Sequence, residues 1–122
     1  MLDAFVIEAE VDSVQLSLHA GVASCDDSDE ADAYCAAWGA NMTAALAQVA
    51  DRARDDPARA GLFAAACYMH TTFKATGPTI GGRSYVDALG DWLLRPGGAA
   101  GSVSEDACCA NGTAVVTYNP TC

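Results

Sequence analysis

Gly61-Leu62-Phe63-Ala64-Ala65-Ala66-Cys67-Tyr68-Met69-His70 is the stretch on which the reading of the fold turns. Its first seven residues are uncharged and continuously apolar, the pattern of a strand covered on both faces in a parallel sheet. The three alanines argue the other way, because alanine is a poor strand former. The neighbours decide for the strand. Upstream, Phe5-Val6-Ile7 opens a second apolar run that continues to Val11 and ends at Asp12, followed by a mixed segment through Leu18. Between the two runs, Tyr34, Trp38, Met42, Ala45 and Val49 recur at spacings of 4, 4, 3 and 4, which predicts one amphipathic helix over 32–53. Asp55-Asp56-Pro57 stops it, since proline cannot continue the hydrogen-bond ladder and disfavours helix in the residue before it.

Downstream of His70, residues 71–82 read as a loop broken by Gly77-Pro78 and Gly81-Gly82. Ser84-x-x-Asp87 is a variant capping box that opens a helix through Asp91-Trp92-Leu93-Leu94, ended by Pro96-Gly97-Gly98. The tail from Gly101 to Cys122 reads as a cysteine-rich loop. Strand, crossover helix, strand and helix make an α/β fold, with the two strands parallel and adjacent. Two strands alone leave a long open edge, so 1–122 is expected to be a single partial domain whose other strands come from sequence upstream.

Composition narrows the function classes. Sixteen acidic against six basic side chains give a net charge of -10, which excludes nucleic acid as a partner over most of the surface. No apolar run approaches the roughly 20 residues of a membrane span. Six cysteines (Cys25, Cys35, Cys67, Cys108, Cys109, Cys122) in so short a chain imply an oxidising, secreted or extracellular setting. Their connectivity is open among about 15 pairings, with the adjacent Cys108 and Cys109 bonding outward to different partners. Met1 to Phe5 has no basic leader, and Glu8 and Glu10 interrupt any apolar core of a signal, which is therefore expected upstream. Asn41-Met42-Thr43 and Asn111-Gly112-Thr113 are glycosylation candidates, the second on a turn dipeptide.

The chemistry-bearing residues gather at the strand ends. His19 and His70 are the chain's only two histidines, and His70 sits just past the carboxyl end of its strand, where α/β folds place ligands and catalytic groups. Asp12 occupies the equivalent end of the first strand. Acid then base is the order of the last two members of an α/β-hydrolase triad, with the serine earlier in the chain. The alternatives are an Asp12 that only caps a strand end beside a loop histidine, and a structural His19. Cys67, His70, Cys108 and Cys109 are zinc ligands by type, but adjacent cysteines chelate poorly. A Cys67/His70 thiol hydrolase is a further option. No metal or other cofactor is expected.

Four segments carry a resemblance. Phe5-Val6-Ile7-Glu8-Ala9-Glu10-Val11-Asp12-Ser13-Val14-Gln15-Leu16 resembles the pectin acetylesterase/Notum segment in which an apolar strand leads into a catalytic Asp, followed three residues on by Gln. Gly61 to Cys67-Tyr68-Met69-His70 resembles that family's strand, Cys and catalytic His; Gly90-Asp91-Trp92 its Gly-Asp-Trp helix; Asn119-Pro120-Thr121-Cys122 its cysteine-terminated tail. The resemblance implies the C-terminal portion of an α/β-hydrolase-like esterase domain with catalytic Asp12 and His70, acting on an acylated glycan or an acylated protein, in the extracellular space or cell wall. Thr71 and Tyr118 stand where relatives carry cysteines, and no Gly-x-Ser-x-Gly elbow is present. Ser84, in Gly81-Gly82-Arg83-Ser84-Tyr85, follows the histidine and reads as a helix cap.

The expected function is thus a carboxylic ester hydrolase whose serine lies upstream; the alternative is a non-catalytic, disulfide-stabilised binding module. Two geometric expectations follow. Asp12 should reach Nδ1 of His70, and Cys108 or Cys109 should bridge to Cys122 to pin the tail.

Overall fold

The computed structural model describes residues 3–70, 76–94, 103–106 and 118–122. Cys108, Cys109, Asn111, Thr71 and Lys74 lie outside the described residues. Strand β1 (Ala4–Asp12) pairs in parallel with β2 (Ala60–Met69), and β2 pairs in parallel on its other edge with β5 (Val103–Glu105), giving the order β1-β2-β5. Helix α1 (Asp29–Asp55) joins β1 to β2. A small hairpin, β3 (Thr79–Ile80) with β4 (Arg83–Ser84), leads into α2 (Tyr85–Leu94).

The alanine-rich run forms the central strand because both of its faces are covered. Leu62, Ala64 and Ala66 pack with α1, through Met42, Leu46 and Ala50 at one end and Cys35 and Ala36 at the other. Phe63, Ala65 and Cys67, pointing to the opposite face by the alternation of a strand, pack with Tyr85 and Ala88 of α2 and with Phe5, Ile7 and Met69. Burying Leu62 and Phe63 contributes about 2–3 kcal/mol each. Phe5 also meets Trp92, ring centroids 5.6 Å apart.

Helix α1 is longer than expected and its buried face is turned. Ser28 caps it, its hydroxyl accepting from Ala31 N–H at 3.1 Å, so that Asp29, Glu30 and Asp32 fall in the first turn, where the helix dipole favours negative charge. The helix is packed on Cys35, Ala36, Gly39, Leu46, Ala50 and Ala53, while Tyr34 is 46% exposed and Trp38, Met42 and Val49 flank the seam half-buried. Small side chains carry the contact because the facing side chains of β2 include alanines, and the helix must approach closely to leave no void.

Two expected loops contain strands. Residues 103–105 add to the sheet, and Ile80-Gly81-Gly82-Arg83 is a two-residue hairpin turn in which both glycines adopt positive φ, 58° and 78°. Two or three residues are too short to show a strand's alternation in sequence. Ser84 caps α2 as expected, its hydroxyl accepting from Asp87 N–H and donating to the Asp87 carboxylate.

Cysteine pairing differs from expectation. Cys122 bonds to Cys67, not to Cys108 or Cys109, and Cys25 bonds to Cys35. The cause is the sheet: the tail returns alongside β2, where Asn119 N–H donates to Ala66 C=O at 2.8 Å, and this sets Cys122 beside Cys67. No helix among the described residues is long and apolar enough to cross a membrane.

Candidate functional site

The geometry of the strand ends begins with a register shift. From Ala4↔Ala60 to Ala9↔Ala65 the two strands keep one offset; between Ala9 and Val11 it changes by one residue, so that Val11 lies opposite Tyr68 and Asp12 opposite Met69. The next residue, His70, thereby stands beside Asp12 at the carboxyl edge.

His70 Nδ1 and Asp12 Oδ2 are 2.7 Å apart. The other oxygen, Oδ1, accepts the backbone N–H groups of Val14 and Gln15, each at 2.9 Å. One carboxylate therefore does both things that were set against each other in the sequence: it caps the turn after β1 and it holds the histidine. That turn continues into a short π-helix, Gln15–His19, whose Leu16 is fully buried beneath it. Because Oδ1 is tied to two backbone donors, the carboxylate is not free to rotate, and Oδ2 is presented to the imidazole in one direction. Its acceptor character selects the tautomer with the proton on Nδ1, leaving Nε2 as the basic nitrogen.

Burial of the Asp12 side chain, which is only 8% exposed, works to raise its pKa. The Gln15 N–H, the His70 ring with its charge, and the Val14 N–H outweigh it, so the carboxyl lies below its ordinary value and is ionised at neutral pH. The His70 side chain is 37% exposed, and its Nε2 makes no hydrogen bond among the described residues. An oriented histidine with an open Nε2 can accept a proton from a hydroxyl and return it to a leaving group.

Further groups surround the pair. Glu8 on β1 has its pKa raised, chiefly by burial; the Ala9 N–H bonded to it works against this, and the charges of Asp12 and His70 add opposing smaller effects. Tyr68, two residues before His70, donates its hydroxyl to Ala23 C=O at 2.9 Å and so fixes the acidic connection after Gly21 near this end of the sheet. Tyr118 sits over the same region; burial first, then Asp26, Asp32 and Tyr68, push its phenol up to about 12.

Of the other candidates, His19 is exposed at the end of the π-helix, and Asn41 is exposed on α1. Cys67 is fully buried and disulfide-bonded, which removes it as a thiol nucleophile or a zinc ligand. Among the described residues no group of three or more His, Cys, Asp and Glu side chains is arranged to hold a metal. Ser84 Oγ is engaged with Asp87. Asp106 and Asn119 were missed: Asp106 Oδ2 accepts from Ala66 N–H at 3.0 Å and from Asn119 Nδ2 at 2.7 Å, next to the end of β2. The sequence carries no signal for Asp106, and Asn119 stands out there only within the Asn-Pro-Thr-Cys tail. Against known proteins, the chain matches no family model, no curated protein and no solved structure.

Proposed function

We propose that Asp12 and His70 are the acid and base of a Ser-His-Asp esterase whose serine and oxyanion donors lie on polypeptide outside residues 1–122. The observation that carries this reading is the 2.7 Å contact between Nδ1 of His70 and a carboxylate already locked by two backbone N–H bonds, at the carboxyl ends of adjacent parallel strands. A histidine held only for packing does not require its partner to be held in turn.

In this reading His70 Nε2 takes the serine proton as the hydroxyl oxygen attacks the ester carbonyl. It then gives that proton to the departing alcohol, and the serine is left acylated. Water, deprotonated by the same nitrogen, then attacks the acyl carbonyl, and the proton passes from Nε2 to the departing serine oxygen as the acid is released. Asp12 stays ionised throughout, keeps the proton on Nδ1 and stabilises the imidazolium that forms in each half-reaction.

The substrate we infer is an acyl ester, acetyl above all, on an extracellular or cell-wall glycan. Charge refines it. The chain carries -10 overall, and Asp26, Asp27, Asp29, Glu30 and Asp32 cluster between Gly21 and Tyr34, while Arg83 is paired with Asp91 at 2.8 Å. A polyanionic, de-esterified galacturonan is repelled by such a surface, so weakly charged acetylated glycan is the favoured acceptor.

The test is the open reading frame extended upstream of Met1, assayed for acetate release and for labelling by a fluorophosphonate serine probe. Both are expected, and both should fall by at least about 10³-fold in Asp12→Asn and His70→Ala. Hydrolysis that survives both substitutions overturns the assignment. An extended, folded protein that neither reacts with the probe nor releases acetate does so too, in favour of the binding module.

A further inference from the structure

We propose that Asp106 and Asn119 are positioning residues for the base: they complete the edge of β2 from which His70 projects and tie both ends of the segment 70–79 to one short tail. This rests on the reading of His70 as a general base and extends it to residues that never touch the imidazole.

On its β1 side, β2 is paired to its last residue, Met69 opposite Asp12. On its β5 side, the strand pairing stops at Ala64 opposite Glu105. The following rung is closed by other means. Asp106 N–H donates to Ala64 C=O at 3.0 Å, the Asp106 carboxylate accepts Ala66 N–H, and Asn119 N–H donates to Ala66 C=O. A carboxylate and one residue of the tail thus replace a strand, and Ala66 has both backbone groups satisfied while being almost fully buried. Left unmade, those two bonds would leave buried backbone groups unpaired four residues before His70.

The same tail holds the far end of the segment. Asn119, itself buried, donates Nδ2 to Asp106 Oδ2 at 2.7 Å and to Thr79 C=O at 2.8 Å. Thr121 Oγ1 accepts Thr79 N–H at 2.7 Å and donates to Asn119 Oδ1 at 2.6 Å, and Asn119 Oδ1 also accepts Thr121 N–H. Cys122 is bonded to Cys67. Residue 70 is thereby held through Ala66 and Cys67, and residue 79 through its own two backbone groups, to three residues of one tail, Asn119, Thr121 and Cys122. A 1 Å drift of a catalytic group is enough to cost a large factor in rate, so an edge that stops β2 from fraying acts directly on His70 geometry.

Substitution by type separates positioning from mere packing. Asp106→Asn keeps one oxygen able to accept both N–H groups; Asp106→Ala and Asn119→Ala do not. In the 122-residue chain, NMR should show the His70 Nδ1 proton as a protected low-field signal that Asp12→Asn abolishes. We expect Asp106→Ala and Asn119→Ala to speed its exchange with water about tenfold or more while the chain stays folded, and Asp106→Asn to restore it. In the upstream-extended protein the alanine variants should lose about 10- to 100-fold in kcat with KM unchanged.

A folded Asp106→Ala and Asn119→Ala with an unchanged Nδ1 proton overturns the proposal and leaves the esterase reading standing. If the alanine variants disturb the proton but neither they nor Asp12→Asn affects ester hydrolysis, the esterase reading fails and the positioning of the ring is upheld. Should either alanine variant fail to fold, Thr121→Val, which removes only the bonds to Thr79 and Asn119, takes its place with the same two outcomes.

Discussion

The two edges of β2 are built in different ways. One is a nine-residue parallel strand, β1, paired along its length apart from the register shift; the other is assembled from three residues of β5, the side chain of Asp106 and the backbone of Asn119, then sealed by a disulfide. The β1 edge ends in Asp12. The composite edge contributes no side chain to the Asp12–His70 contact, yet it closes the bonding around the strand that leads into His70. A strand-end site needs its strand held from both sides, and only one of the two holders has to look like a strand.

The largest way to break the comparison is at the sulfur. The Cys67–Cys122 bond closes a separation of 55 residues and the Cys25–Cys35 bond one of 10. By chain entropy these stabilise by about 4 and about 2.7 kcal/mol respectively, so Cys122→Ser should lower the urea midpoint more than Cys25→Ser. Equal midpoints would show that the tail bond constrains the chain no more than the shorter Cys25–Cys35 bridge does. Next comes Val11→Ala on the β1 edge, fully buried beside Leu16 and Ala66, with an expected loss of about 1–3 kcal/mol. Amide exchange at Ala66 should respond more to Cys122→Ser than to Val11→Ala; the reverse would mean that the two edges are one cooperative unit.

Acid titration sharpens the comparison further. The Asp12 pKa is lowered on folding, so the stability it contributes is present above its ordinary value of 3.8 and is lost as pH falls through the lowered folded value. Glu8 has the opposite sign: its contribution is complete below 4.5 and is lost as pH rises through its raised folded value. Melting curves of Asp12→Asn should therefore lack part of the decline below about pH 4, and those of Glu8→Gln should gain stability above pH 4.5 relative to wild type. The smallest effect belongs to Arg54, which ties α1 to β5 through Glu105 at 3.3 Å while more than half exposed. Arg54→Ala should cost no more than about 0.5 kcal/mol, and less at high salt.

What the sequence made legible follows the same division. The β1 edge, the central strand and both helices announced themselves because long elements repeat their pattern: two apolar runs, a 3.6-residue recurrence and the Ser84/Asp87 cap. Asp12 stands one residue past its apolar run and His70 three past Cys67, so both read from the sequence as strand-end residues. The composite edge was illegible for a physical reason. Three residues cannot show alternation, and a carboxylate standing in for a strand leaves no signature in its neighbours. The Cys67–Cys122 pairing was hidden too, since it depends on where Asn119 meets Ala66. The rotation of the α1 face has another cause: large side chains dominate a hydropathy reading, whereas close packing on alanine is carried by Ala36, Gly39, Ala50 and Ala53.

Fastening both ends of 70–79 to one tail has a consequence for how the protein can change. A loop whose ends are anchored elsewhere does not transmit its own length to its flanks, and each doubling of length adds only about 0.6 kcal/mol of closure entropy. Length changes between His70 and Gly77 are therefore expected to leave the Asp12–His70 pair in place, whereas exchanges at Gly77 and Pro78 are not, since a side chain at Gly77 would press on the Thr121 carbonyl and Pro78 is buried.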